Sequence, residues 1–148
     1  MAIVEDLKLI HIKTLSLFDL GDEQLDKTYG PGKWSIRFIL HHLADAESVL
    51  YDRIRRTVSK PGQVVWGFDQ DAWAAALDYD EKPLSISRSV YSACRDGIIY
   101  LAEDNYEEKG DSYMIHSGDG RKTLKDVFDK VVWHNKKHLN QIEQALKG

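Results

Sequence analysis

The sequence predicts an all-α protein, a four-helix bundle in which a long crossover joins the second helix to the third. Four segments repeat apolar residues at steps of three and four, which is the pattern of a helix with one buried face. Strand signals are scarce, and only QVVWGF and SYMIHS resemble short strands. The 148 residues are enough to bury one continuous core, so we expect a single domain over residues 1–148.

The first two helices are predicted from their apolar stripes and from the turn between them. The first stripe consists of Ile3, Leu7, Ile10, Thr14, Leu17 and Phe18. This helix is expected to end near Gly21, before the Gly- and Pro-rich turn TYGPGKW. Ser35 is a candidate N-cap for the second helix, which we expect to reach about Val58. The second stripe consists of Ile36, Ile39, Leu43, Ala46, Leu50 and Ile54.

The crossover and the last two helices follow the same reasoning. Within the crossover, DQDAWAAAL is a predicted short helix with an acidic first turn. A third long helix follows Pro83, with its predicted inward face formed by Ile86, Val90, Cys94, Gly97 or Ile98, and Leu101. Thr123 is the predicted N-cap of the fourth helix. The inward residues of that helix are predicted to be Leu124, Val127, Val131, His138, Ile142 and Ala145.

Composition excludes several classes of partner. The 20 basic and 24 acidic residues give a net charge of −4 without a basic stripe, which argues against nucleic-acid binding. The apolar runs are much shorter than the roughly 20 residues that cross a bilayer, so no membrane partner is expected. Cys94 is the single cysteine, and the chain begins without a secretory signal, which together favour a cytoplasmic protein.

Histidines on two predicted helices form a candidate metal site. His134 and His138 are one helical turn apart, at the edge and within the apolar arc, so both imidazoles can reach one ion. A catalytic metal usually needs a third protein ligand. On the second helix, His42 lies beside the buried face and is the better candidate, whereas His41 is predicted to point toward solvent. The alternative is that these are buried histidines, each satisfied by one hydrogen bond.

Other polar and aromatic residues have two interpretations, and none is assigned a catalytic role. Glu47 and Arg53 could line a cleft beside the ion, although a salt bridge within the bundle explains either residue as well. His11 is predicted to be structural or to line the pocket, and His116 to be solvated in a loop. Core and loop anchoring is the role expected of Trp34, Trp66, Trp73 and Trp133.

Two of these segments carry a family resemblance. GKWSIRFILHHLADAE resembles the second-helix signature of the DinB-like (DinB/YfiT) superfamily, and WHNKKHLNQIEQAL resembles its fourth-helix signature. Carried over residue by residue, the resemblance implies that His42, His134 and His138 hold a divalent ion. The ion would be nickel, zinc, manganese or iron, all of which accept imidazole ligands. The resemblance also implies a long crossover and a homodimer, and it does not fix a reaction.

Two classes of function are therefore expected. The first is a metal-dependent enzyme, either a hydrolase or a thiol S-transferase, that acts on a small molecule such as a low-molecular-weight thiol. With zinc, the site would lower the pKa of bound water to about 7 or bind a thiol as its thiolate. The second is a non-catalytic, stress-associated binding or dimerisation module with a structural metal or none.

Overall fold

Four long helices form a bundle in the computed structural model, which describes residues 1–148. They are α1 (Ala2–Leu17), α3 (Ile36–Ser59), α5 (Leu84–Asn105) and α6 (Leu124–Lys147). Two short helices complete the helical part, namely α2 (Asp22–Leu25) and α4 (Gln70–Ala76). The predicted bundle and its long crossover between the second and third long helices are confirmed. The first helix is shorter than predicted, because α1 ends at Leu17 and α2 follows as a separate turn.

The N-termini of α3 and α6 begin where the sequence predicts. The Ser35 hydroxyl accepts a hydrogen bond from the backbone N–H of Phe38 at 3.2 Å. Thr123 and Asp126 form a capping box, in which each side chain accepts a hydrogen bond from the other residue's backbone N–H. These caps satisfy backbone donors that the first helical turn leaves without partners. They also fix the points at which the two histidine-bearing helices begin.

A small sheet, which was predicted only in part, connects the crossover to the segment before α6. Strand β1 (Val64–Val65) pairs in parallel with β2 (Tyr113–His116), and β2 pairs antiparallel with β3 (Gly120–Thr123). The first two strands match QVVWGF and SYMIHS, but β3 has no alternation of apolar residues that would predict a strand. Gly120 has φ +78°, the left-handed conformation that closes a three-residue hairpin loop. The sheet therefore fixes the crossover and the hairpin against each other.

Helix α3 is covered on nearly every side, which makes the prediction for His41 wrong. Its residues contact α5 and α6, and the crossover closes the remaining face. The His41 side chain is fully buried, with Nδ1 2.6 Å from the Ser87 hydroxyl and the Tyr79 ring stacked on it at 5.2 Å. The prediction assumed that the side of α3 opposite its apolar stripe faces water. Ser87 of α5 and Tyr79 of the crossover cover that side instead.

The buried face of α5 also differs from the predicted one. Its buried residues are Ser87, Tyr91, Arg95, Ile98, Ile99, Ala102 and Asn105. The predicted face began at Ile86, which is 49% exposed. The difference arises because three polar residues and a tyrosine are buried where an apolar stripe was sought. Hydrophobic periodicity cannot identify a face on which polar side chains find partners only after the helices pack.

A buried polar network ties the four long helices together. Arg95 of α5 forms a two-pronged ion pair with Glu47 of α3 and donates to the Asn135 side-chain oxygen of α6 at 2.8 Å. The Tyr91 hydroxyl donates to the same oxygen at 2.6 Å. The Asn135 amide donates to the Thr14 hydroxyl of α1 at 3.1 Å. Glu47 therefore takes part in a salt bridge inside the bundle, which was the alternative to a cleft position.

No helix has the combination of length and apolar character that crossing a lipid bilayer requires.

The substitution Glu47→Gln tests how much this network contributes to the stability of the fold. It leaves the Arg95 charge buried without a countercharge, so we expect the free energy of unfolding to fall by about 3–5 kcal/mol in urea titrations. Lys8→Met is the matched control, because it breaks the half-exposed Lys8–Glu103 pair and should cost about 1 kcal/mol or less. Equal losses in the two variants would contradict the role of the network.

Candidate metal centre

Three histidines from two helices meet at one point. His42 comes from α3, and His134 and His138 come from consecutive turns of α6. One ring nitrogen from each can be chosen so that all three lie within 4.8 Å of one another. The Nε2 atoms of His42 and His134 are 3.0 Å apart, and the ring centroids of the three pairs are 4.6–5.0 Å apart. The structure therefore brings together the three residues that the helical rotation singled out.

Gln141 fixes the orientation of His138. The His138 Nδ1 atom lies 2.7 Å from the Gln141 side-chain oxygen. Since that oxygen can only accept, Nδ1 carries the hydrogen and Nε2 presents its lone pair. Nε2 is buried and has no hydrogen-bond partner in the protein. A buried acceptor without a donor is costly, and a cation between the rings would satisfy it.

Aromatic rings enclose His42 and keep it uncharged. Its ring lies 5.2 Å from Trp34 and is stacked on Phe68 at 5.8 Å, with 4° between the planes. Burial, followed by the charges of His138 and Lys137, lowers the pKa of His42 to about 3. Burial, followed by the charges of His138 and His42, lowers the pKa of His134 to about 2. The imidazoles are therefore neutral at pH 7 and hold lone pairs that can bind a metal.

The donor set fits a divalent transition metal. Three neutral imidazole nitrogens suit zinc, nickel, iron or manganese, and neither a cysteine nor a carboxylate belongs to the cluster. Three protein ligands leave coordination positions open, which distinguishes a catalytic site from a closed structural one. The arrangement can therefore hold an ion and still admit a further ligand.

Two cavities reach the three histidines from different sides. A cavity of about 380 Å³ lies between α3, α6, the crossover and the hairpin, and it is lined by His42 and His134. A smaller cavity of about 250 Å³ is lined by His138, Gln141 and the turn before α3. Gln70, at the start of α4, borders both. The first cavity is called the cleft below.

The other candidate residues lie in different places. Arg53 is 5% exposed and lines the cleft, where its guanidinium donates to the Trp66 carbonyl at 2.8 Å. Glu47 does not line the cleft and instead pairs with Arg95. His11 is also outside it, with Nε2 3.1 Å from the Ser92 hydroxyl.

Some predictions about single residues are wrong. His116 was expected to be solvated, but its side chain is 12% exposed because the hairpin turn folds around it. Trp66 and Trp133 were expected to be anchors, but they are 78% and 60% exposed. Trp133 lines the cleft together with Lys130 and Asp119, which the sequence did not single out.

Gln141 was missed although a signal for it exists. It lies three residues after His138 on the same helix, and side chains at that spacing are neighbours. A search for a hydrogen-bond partner of each candidate ligand along its own helix would have found it.

Comparison with known proteins decides the family. A family model described as the DinB superfamily matches residues 12–142. This chain belongs to the DinB superfamily. The resemblance seen in the two histidine-bearing segments is therefore confirmed.

Several known proteins match over most of the chain. Two proteins of Oceanobacillus iheyensis, each named "Putative metal-dependent hydrolase", are 32% and 30% identical over 129 and 144 residues. The matches cover 87% and 97% of this chain, and 74% and 82% of those proteins. The structure is also similar to that of YfiT from Bacillus subtilis, with a TM-score of 0.89 at 22% identity, over 99% of this chain and 85% of that one. YfiT is described as "a probable metal-dependent hydrolase with an unusual four-helix bundle topology", and at this identity the likeness shows the fold.

The substitution Gln141→Met tests the orientation of His138. Without the amide oxygen, the His138 ring loses the partner that fixes its tautomer, and we expect the affinity for zinc to fall about 10- to 100-fold. Competition with a chromophoric chelator measures this change. Gln144→Met, an exposed position on the same helix, is the control and should leave the affinity unchanged. An unchanged affinity in Gln141→Met would show that the ring is oriented by other contacts.

Proposed function

We propose that this protein is a metal-dependent hydrolase of small molecules, with the ion held by His42, His134 and His138. The observation that carries the proposal is the convergence of the three imidazoles, with the buried Nε2 of His138 left without a partner. The names of the relatives from Oceanobacillus iheyensis support it, because they describe metal-dependent hydrolases. The cleft of about 380 Å³ has the size of a small-molecule site.

The chemistry of the site follows from the charge of its ligands. An ion held by the neutral imidazoles of His42, His134 and His138 would supply Lewis-acid chemistry and would lower the pKa of water at the site to about 7. The neighbouring residues orient the ligand rings and shield them from water. Gln141 holds the His138 ring, and Trp34 and Phe68 cover His42 against water. Excluding water strengthens electrostatic interactions at the site.

Transfer of a thiol is the finer alternative within the same proposal. An ion held by the three imidazoles would favour the thiolate form of a thiol, so the same residues would serve thiol transfer as well as hydrolysis. Turnover of esters and amides without added thiol would favour hydrolysis, and turnover only with a low-molecular-weight thiol would favour transfer. A non-catalytic module would turn over neither. The homodimer and the cytoplasmic location stay predictions from the sequence.

The substitution His134→Ala tests the metal site directly. We expect the purified protein to contain near one divalent ion per chain by elemental mass spectrometry, and the variant to lose most of it, because two imidazoles hold an ion far less tightly than three. His11→Ala is the control, since its ring contacts Ser92 outside the cleft. Any turnover of esters, amides or thiol substrates should disappear in the variant that has lost the ion. Protein that stays metal-free when metals are supplied in excess would refute the proposal.

A further inference from the structure

A buried arginine faces the same cleft as the histidines. The Arg53 guanidinium has five N–H groups, and one of its nitrogens donates to the Trp66 carbonyl. No ion pair of the chain includes Arg53. The buried side-chain atoms without partners belong to His41, His42 and His138, so the remaining Arg53 nitrogens are not buried, and the Arg53 side chain lines the cleft. Arg53 therefore has N–H groups without a protein partner, and Asp119, the carboxylate that lines the cleft, forms no ion pair with it.

The hairpin turn adds a second donor with a fixed direction. The His116 Nδ1 atom accepts hydrogen bonds from the backbone N–H groups of Gly118 at 3.0 Å and Asp119 at 2.9 Å. Because Nδ1 accepts, the hydrogen of the neutral ring is on Nε2. Burial lowers the pKa of His116, and the charge of Arg53 lowers it further, which keeps the ring neutral. Nε2–H has no protein partner and is not buried, so it can donate to a ligand in the cleft.

Lys130 of α6 is the third donor. It lies one helical turn before His134, lines the cleft and takes part in no ion pair of the chain. Burial and the charge of Arg53 lower the pKa of Lys130, and the charge of Asp119 opposes them. Asp119 supplies the one carboxylate that lines the cleft, and its side chain is 57% exposed. Two positive charges therefore face one solvated negative charge.

We propose that Arg53, His116 and Lys130 form an oxyanion subsite, which binds a carboxylate or phosphoryl group of the substrate while another part reaches His42 and His134. This inference rests on the proposed function and names its substrate class, a small anionic molecule. The three donors and the two histidines line one cavity, so one molecule can contact both. Arginine presents paired N–H groups that match the geometry of carboxylate and phosphate oxygens.

The other acidic residues nearby form no ion pair with the donors of the subsite. Asp126 and Asp129 line the adjoining cavity that Arg53, His116 and Lys130 also border. Asp126 accepts the backbone N–H of Thr123 in the capping box, at 2.9 Å. Asp129 accepts the Tyr106 hydroxyl at 2.7 Å. Each carboxylate thus has a hydrogen-bond partner of its own, and neither is paired with Arg53 or Lys130.

Trp133 gives the subsite an apolar neighbour and an experimental reporter. Its ring is 60% exposed and lines the cleft beside Lys130. An exposed indole at the mouth of a polar cleft can cover the carbon skeleton of a bound anion. Its indole N–H gives a separate NMR signal, which Trp133→Phe would assign.

The test is an NMR titration of the purified full-length protein with inorganic phosphate, succinate and the neutral succinamide. We expect phosphate or succinate to shift the Trp133 indole signal and succinamide to leave it in place. The anion that binds more tightly identifies the phosphoryl or the carboxylate class. Arg53→Met should raise the Kd of that anion at least about tenfold, the size of a lost charge-assisted hydrogen bond. Lys130→Met should raise it about fivefold, the size of a lost partly exposed charge.

Arg88→Met is the matched control, because Arg88 is an exposed arginine of α5 outside the cleft. The Kd of the anion for this variant should stay within about twofold of the value for the unmodified protein. The dispersion of the NMR spectrum shows whether Arg53→Met folds. If it does not fold, the Kd of Lys130→Met decides the test. Anion shifts that persist unchanged in Arg53→Met or Lys130→Met would place the anion elsewhere, including on the ion, and would overturn the subsite. So would the absence of shifts with either anion.

The metal content of the same samples separates this inference from the proposed function. Metal-free protein whose anion binding depends on Arg53 would refute the metal enzyme and retain the subsite. Protein with one ion per chain and no such dependence would do the reverse.

Discussion

The buried ion pair between Arg95 and Glu47, with Asn135 as its third partner, sets how α3 and α6 are rotated toward each other. Apolar packing is non-directional and would accept several rotations of either helix. Hydrogen bonds to a guanidinium are directional, and a buried charge left without them is costly, so only one rotation satisfies the network. Asn135 is adjacent to His134, and Glu47 is on the helix that carries His42. The network that holds the bundle together therefore also aims the histidines at each other.

The crossover and the hairpin turn this convergence into a site with an entrance. Phe68 and Trp34 cover His42. The small sheet fixes the crossover to the hairpin, so that His116 and Arg53 face one cavity with the histidines. The cleft thus joins two different environments. One part of it is made of neutral imidazoles that can bind a cation, and another part is made of Arg53, His116 and Lys130, which we propose bind an anion. A small anionic molecule bound between them would contact both.

Much of the fold and of the histidine cluster could be predicted from local sequence. The caps Ser35 and Thr123 begin their helices as predicted, because a cap is a local interaction of neighbouring residues. The four-residue spacing of His134 and His138 places them on one side of α6, and rotation along α3 preferred His42. The predictions for His41 and the face of α5 were wrong for a common reason, because each depends on a segment distant in sequence that covers the residue or supplies its partner. The prediction for His116 was wrong because the turn of its own hairpin folds around the ring.

By itself, the sequence determined the long helices and their order, because these follow from periodicity. Helical spacing and rotation selected the three histidines that can meet, and two sequence motifs carried the DinB resemblance. Only the tertiary structure decided that Glu47 pairs with Arg95, and that Arg53, His116 and Lys130 share one cavity. These outcomes could not be predicted because a polar side chain takes the partner that packing brings to it. Glu47 and Arg95 lie 48 positions apart in the chain, and Thr14 and Asn135 of the same network lie 121 positions apart.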